Sequence, residues 1–128
     1  MPAATSQARP PLPPWLRVKV SCGGSRERVD SLVEGLSLNT VCQGAKCPNL
    51  GECWGRGVAT FMILGGRCTR SCRFCAVGTV EKPLPPDGDE PRRLAAAAKD
   101  MTLSYIVVTS VTRDDLPDGG SSHFASTI

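Results

Sequence analysis

Two closely spaced sets of three cysteines, Cys42-x4-Cys47-x5-Cys53 and Cys68-x3-Cys72-x2-Cys75, constrain this chain more than any other feature. Seven cysteines in 128 residues is a high and odd count, which fits poorly with a framework of paired disulfides. The stretch from Met1 to Pro14 is proline-rich and has no apolar run of the length that a secretory signal or a membrane span needs. A reducing compartment is therefore expected, where clustered thiols serve as metal ligands or catalysts. The formal charge of +3 is mild and the 15 Lys and Arg are scattered, so neither nucleic acid nor a membrane is indicated as a partner.

Between and after the cysteines, apolar periodicity sets the elements. Residues 1 to 14 read as a polyproline-type or disordered lead-in, and Trp15 to Val20 as extended. From Ser25, the apolar positions Val29, Leu32, Val33 and Leu36 follow a helical spacing. Pro48 can open a short helical turn running through Trp54. Val58 to Leu64 is a continuous apolar run, as in a strand of a parallel sheet buried on both faces. Asp89 is the expected N-cap of a helix with Leu94, Ala97, Ala98 and Met101 on one face. Tyr105 to Val111 is a second strand, which completes a strand-helix-strand unit with a right-handed crossover. Ser121 and Ser122 are the expected caps of a further helix. The reading divides the chain into an irregular cysteine-rich segment, 1–57, and an α/β unit, 58–128.

The second triad lies on a glycine-flanked loop at the C-terminal end of the first strand. Three thiolates on a four-iron cluster leave one iron without a protein ligand, and that open position can bind a substrate or cofactor. Ferredoxins close the cluster with a fourth cysteine in a run ending Cys-Pro, whereas here Ala76 follows Cys75. The competing reading is a zinc knuckle, but structural zinc takes four ligands at paired spacings, and the only histidine, His123, is distant in sequence. With Phe74 before the last cysteine, the motif resembles that of the radical S-adenosylmethionine (SAM) superfamily. The resemblance implies that the open iron chelates SAM, that Phe74 lies near its adenine, and that Cys68, Cys72 and Cys75 are catalytic as the cluster's ligands. It also implies a partial parallel (β/α) barrel, of which 58–128 would be the start. Thr109 and Ser110, at the C-terminal end of the second strand, are expected to contact SAM. Arg67, Arg70 and Arg73 read either as tuning the cluster's charge or as solvated.

The first triad sits in Thr40-Val-Cys-Gln-Gly-Ala-Lys-Cys-Pro-Asn-Leu-Gly-Glu-Cys-Trp54. This segment resembles the auxiliary-cluster segment of lipoyl synthases. So do Ala59-Thr-Phe-Met-Ile-Leu-Gly65, Cys68-Thr-Arg-Ser-Cys-Arg-Phe-Cys-Ala-Val77, Thr109-Ser-Val-Thr-Arg-Asp-Asp-Leu-Pro-Asp-Gly-Gly120 and Pro14-Trp-Leu-Arg-Val-Lys19. The resemblance implies two [4Fe–4S] clusters, the auxiliary one on Cys42, Cys47 and Cys53 as sulfur donor, and sulfur insertion at C6 and C8 of a protein-bound octanoyl chain. An unactivated C–H bond is inert to acid–base chemistry, so Asp114 and Asp115 cannot open it by proton transfer. Implied partners are octanoylated lipoyl carrier domains of 2-oxoacid dehydrogenases and the glycine cleavage H protein. A ferredoxin or flavodoxin electron donor and iron–sulfur assembly proteins are implied as well. Bacterial cytoplasm is the default location, with an organellar origin as the alternative.

The chain departs from the family where acidic residues are usual, having Gln43 and Gly44 after the first cysteine and Gly66 before the second triad. In the family a serine near the C-terminus is the auxiliary cluster's fourth ligand, so the chain reads as an N-terminal part that is inactive alone, with unpaired strand edges. Cys22 reads as a free thiol or as a fourth thiolate beside the first triad. Arg113, Asp114 and Asp118 read either as orienting a ligand or as stabilising their loop.

Overall fold

The computed structural model describes Pro11, residues 13–17 and residues 25–128. Cys22, and the part of the extended reading that covers residues 18–20, lie outside the described residues. Of the rest of that reading, Pro14–Leu16 forms a 3-10 turn, closed by the Arg17 N–H on the Pro14 carbonyl. Pro14 at its start explains the difference: a fixed φ suits the first helical position.

The expected strand-helix-strand unit is present. Strand β1, Val58–Ile63, and strand β2, Tyr105–Ser110, pair in parallel, with Phe61 opposite Val108 and Ile63 opposite Ser110. Helix α4, Glu90–Asp100, connects them. Before them come α1, Ser25–Gly35, α2, Val41–Gly44, and α3, Leu50–Gly55; α5, Ser121–Thr127, follows. The fold is thus α/β with a two-stranded parallel sheet.

Burial on both faces holds for β1, whose Phe61, Met62 and Ile63 are buried in succession. Its outer edge is partly covered, because Thr40 bridges Phe61 in antiparallel fashion and the Met62 N–H donates to the Asn39 carbonyl at 2.8 Å. The start of β2 is exposed, with Tyr105, Ile106 and Val107 facing solvent. One core joins both halves of the chain: Val33, Leu38, Leu50 and Trp54 pack with Phe61, Ile63, Leu94, Ala97 and Val111. Helix α4 presents Leu94 and Ala97 to that core at the spacing read from the sequence.

The caps differ from expectation. Asp89 precedes α4, but its side chain makes no capping bond, and its carboxylate takes Arg92 at 2.7 Å instead. A charged fork gives stronger bonds than a lone backbone N–H does. At α5 the cap is neither Ser121 nor Ser122. The Asp118 carboxylate accepts the Gly120 and Ser122 N–H groups, each at 3.0 Å, and the Ser122 hydroxyl at 2.6 Å. Gly120 has φ +94°, and a Cβ there would overlap Leu64 Cδ1, so only glycine fits.

Two outcomes follow. Phe61→Ala empties the centre of β1 and should cost about 3–5 kcal/mol in a denaturant titration. The bonds from the Ser122 hydroxyl, its N–H and the Gly120 N–H hold the Asp118 carboxyl well below the usual carboxylate range. A depressed folded value stabilises fully above the ordinary value of about 3.9 and is lost as pH falls through the folded value. Asp118→Asn should therefore show less helical circular dichroism at neutral pH and a shallower loss below pH ~4 than the unaltered chain.

Candidate functional site

Directly after β1, Leu64 adopts φ +68° and turns the chain through Gly65 and Gly66 into the second cysteine loop. The loop is closed at its base: the Cys68 N–H donates to the Gly78 carbonyl, and the Val80 N–H donates to the Cys68 carbonyl, each at 2.9 Å. At its tip the Cys75 N–H donates to the Cys72 carbonyl at 3.0 Å. Cys72 and Cys75 are exposed while Cys68 is half-buried. The loop therefore presents two open sulfurs and one that is held.

Cys68 is held by the loop that follows β2. Its Sγ accepts the Arg70 N–H at 3.4 Å and the Thr112 N–H at 3.3 Å. Burial pushes the Cys68 thiol up, but the bonds from Arg70 and Thr112 outweigh it and leave the thiol below its ordinary value. Thr69 Oγ1 lies 3.0 Å from the Thr112 carbonyl and 2.9 Å from Asp114 Oδ2, acceptors that share its one hydrogen, and it receives the Asp114 N–H at 3.2 Å. Arg70 grips Asp114 with Nε at 2.9 Å and Nη2 at 2.7 Å. The Arg70 guanidinium, then the Thr69 hydroxyl, draw the Asp114 carboxyl below its usual range. Loops at the C-terminal ends of two adjacent parallel strands are thereby stitched together.

Asp114 and Asp115 point to different partners, since Asp115 takes Arg113 at 2.8 Å through Nε and again through Nη2. They do not form a carboxylate pair. Arg113 is 2% exposed and its guanidinium also reaches the Leu64 and Leu84 carbonyls. Its guanidinium is engaged in holding the loop, and Asp118 is likewise engaged at the head of α5. Ser110 lines a cleft of about 460 Å³ with Arg70, Thr112 and Asp114, whereas Thr109 does not line it. Phe74 is 93% exposed beside the two open cysteines. Arg67 and Arg73 are exposed too.

The first triad is built on two short helices. The Thr40 hydroxyl accepts the Gln43 N–H at 3.2 Å and so caps α2, which carries Cys42. The Cys47 N–H closes the next turn on the Cys42 carbonyl at 3.0 Å, and Cys53 lies on α3. Cys42 and Cys47 line one cleft of about 480 Å³ with Asp30, Gln43 and Lys46; Cys53 is not in its lining. Gln43 donates to Asp30 Oδ1 at 2.8 Å, so a carboxylate reaches this cleft from α1.

The two cysteine segments lie close together. A Cβ on Gly44, two residues after Cys42, would lie 3.5 Å from Met62 Cε and 3.8 Å from Val77 Cγ2, two residues after Cys75. Among the described residues, no three His, Cys, Asp or Glu side chains converge as ligands of a single metal ion. Each thiolate of a four-iron cluster binds a different iron, so sulfurs that hold one need not converge on a point. The hydrogen bonds to Cys68 Sγ fit such a ligand, because N–H bonds to the sulfurs are among the features that set a cluster's potential. Sequence reasoning missed Thr69 and Thr112, whose contacts with Cys68 and Asp114 cross 43 to 45 positions of chain. Only the proximity of two strand ends could have pointed to them.

In the metal-free chain, iodoacetamide should label the exposed Cys72 and Cys75 first and the buried Cys42 last, as read by peptide mass spectrometry at short times.

No family model matches the chain. It is 56% identical over 116 residues to a lipoyl synthase of Chlorobium limicola, a match that covers 91% of this chain and 40% of that protein. To a lipoyl synthase of Nitratidesulfovibrio vulgaris it is 59% identical over 117 residues, 91% of this chain and 39% of the other. A mitochondrial lipoyl synthase of Culex quinquefasciatus is 53% identical over 127 residues, covering 95% and 33% respectively. The chain thus spans about two-fifths of the length of the first of these curated relatives.

Proposed function

Because this chain matches the N-terminal part of lipoyl synthases, we propose that it carries the two cluster-binding loops of an enzyme that inserts sulfur at C6 and C8 of an octanoyl chain on a lipoyl carrier domain. The observation that supports this best is the closeness of the two cysteine segments, at Gly44 and Val77, near the end of a buried parallel strand. Sulfur transfer to a carbon radical needs the radical source and the sulfur source side by side.

On this reading Cys68, Cys72 and Cys75 hold the SAM-binding cluster, and Cys42, Cys47 and Cys53 hold the auxiliary one. When bound, the first supplies with SAM a radical able to take hydrogen from an unactivated C–H bond, and the second supplies sulfur. The chain's own residues position and shield. The pair of bonds to Cys68 Sγ and the Arg70–Asp114 fork fix one corner of the loop. Phe74 offers an open aromatic face for the adenine, and Thr109 and Ser110 stand at the strand end for the rest of the cofactor. Asp30, through Gln43, supplies the carboxylate that the family places nearer in sequence.

The proposal extends to a partial (β/α) barrel starting at β1, to a ferredoxin or flavodoxin donor, to iron–sulfur assembly proteins and to carrier domains of 2-oxoacid dehydrogenases and the H protein. A bacterial cytoplasm remains the proposed location, with an organelle the alternative, since a mitochondrial relative is among the matches. Among the described residues no helix is long and apolar enough to cross a membrane.

Anaerobic reconstitution with iron and sulfide tests the reading. Two four-iron clusters are expected, with SAM changing the paramagnetic resonance of one. Replacing Cys68, Cys72 and Cys75 by serine should abolish the SAM response and leave the auxiliary cluster. Binding of zinc alone, with no response to SAM, would overturn it in favour of a metal-binding module.

A further inference from the structure

The break at Leu64 is held from both sides by buried polar groups. Leu64 has φ +68°, a conformation that non-glycine residues rarely adopt, and it is 3% exposed. Its N–H donates to Glu90 Oε2 at 2.9 Å, and its carbonyl accepts Arg113 Nη1 at 3.1 Å. Glu90 is 4% exposed and Arg113 2%. Each is braced in turn: Glu90 Oε2 pairs with His123 Nε2 at 2.7 Å on α5, and Arg113 forks onto Asp115 and reaches the Leu84 carbonyl at 2.9 Å. Gly120 closes against Leu64 Cδ1. Elements after β1 thus converge on one residue, four positions before Cys68.

A strained backbone persists only where its surroundings over-determine it. Past the end of β1 the buried Leu64 N–H and C=O need hydrogen-bond partners, and two side chains from elements distant in sequence supply them. The consequence lies further along: the direction in which the chain leaves Leu64 sets where Cys68 stands relative to β2 and its Thr112 N–H.

We propose that Glu90, braced by His123, and Arg113, braced by Asp115, are positioning residues that aim the Cys68–Cys75 loop by clamping Leu64. They act on the loop through Leu64. This rests on the radical SAM reading of that loop, and it adds to that reading a device reaching the cluster from α4 and α5.

Two measurements separate the proposal from the reading beneath it. Amide hydrogen exchange of the metal-free chain needs no cluster. Glu90→Leu removes the acceptor and should speed exchange at Leu64 and along residues 65–68 by about tenfold or more. Glu90→Gln keeps an acceptor oxygen and should restore most of the protection. Arg113→Lys, which loses the fork, should reproduce the effect more mildly.

Cluster loading supplies the second measurement. In chains lacking the first triad, Glu90→Leu should weaken the cluster at Cys68, Cys72 and Cys75 by about tenfold and shift its reduction potential. Glu90→Gln should rescue both. In chains lacking the second triad, the auxiliary cluster should load as in the unaltered chain. Equal loss of both clusters would make the clamp a general element of the core and overturn the proposal, as would unaltered exchange and potential in Glu90→Leu or Arg113→Lys. Failure of the unaltered chain to load iron at the second triad would instead sink the radical SAM reading, while the exchange result stood.

Discussion

A single residue, Leu64, carries the transition from core to site. On its N-terminal side β1 is buried through Phe61, Met62 and Ile63; on its C-terminal side the chain is open loop with two exposed cysteines. A left-handed non-glycine residue costs about 1–3 kcal/mol, and the Glu90 and Arg113 bonds offset that cost at this place. Both side chains are buried, so removing either would leave its partner's polar group unsatisfied in a dry environment. The α4 and α5 helices and the loop after β2 are thereby tied to the geometry of one strand end.

The same economy joins the two cysteine segments. Residues 39–40 cover the free edge of β1, and α2 rests over Met62, so the first triad is attached to the strand that launches the second. Gly44 of α2 faces Met62 and Val77 with room for a Cβ at ordinary contact distance. Gln43 directs its amide to Asp30, which brings a carboxylate back to the cleft of Cys42 and Cys47 from a different helix.

Much of the fold was legible because it follows from local pattern. The helical spacing of Val29, Leu32 and Val33, the apolar run of β1 and the Leu94/Ala97 face of α4 each appear where periodicity places them. The misreadings share a cause. Asp89 and Ser121 have the right chemistry for caps, yet an arginine one turn on claimed the first, and Asp118 displaced the second. Which of several competent side chains takes a given N–H depends on competition among neighbours, and spacing alone does not rank them. Trp15 was read as extended, but the proline before it opened a turn.

By itself the sequence determined the two cysteine triads, their order, the parallel strand-helix-strand unit and the likeness to lipoyl synthases, because these are written as spacings and residue types along the chain. Tertiary structure decided what the charged residues do. Arg113, Asp114 and Asp118 were equivalent loop polars in sequence; folding buries the first under Leu64, pairs the second with Arg70 beside Cys68, and sets the third at the head of α5. Glu90 became the acceptor for a residue 26 positions away. Such roles arise from contacts between strand ends and helices distant in sequence, and a carboxylate or guanidinium acquires its function from the group it meets there.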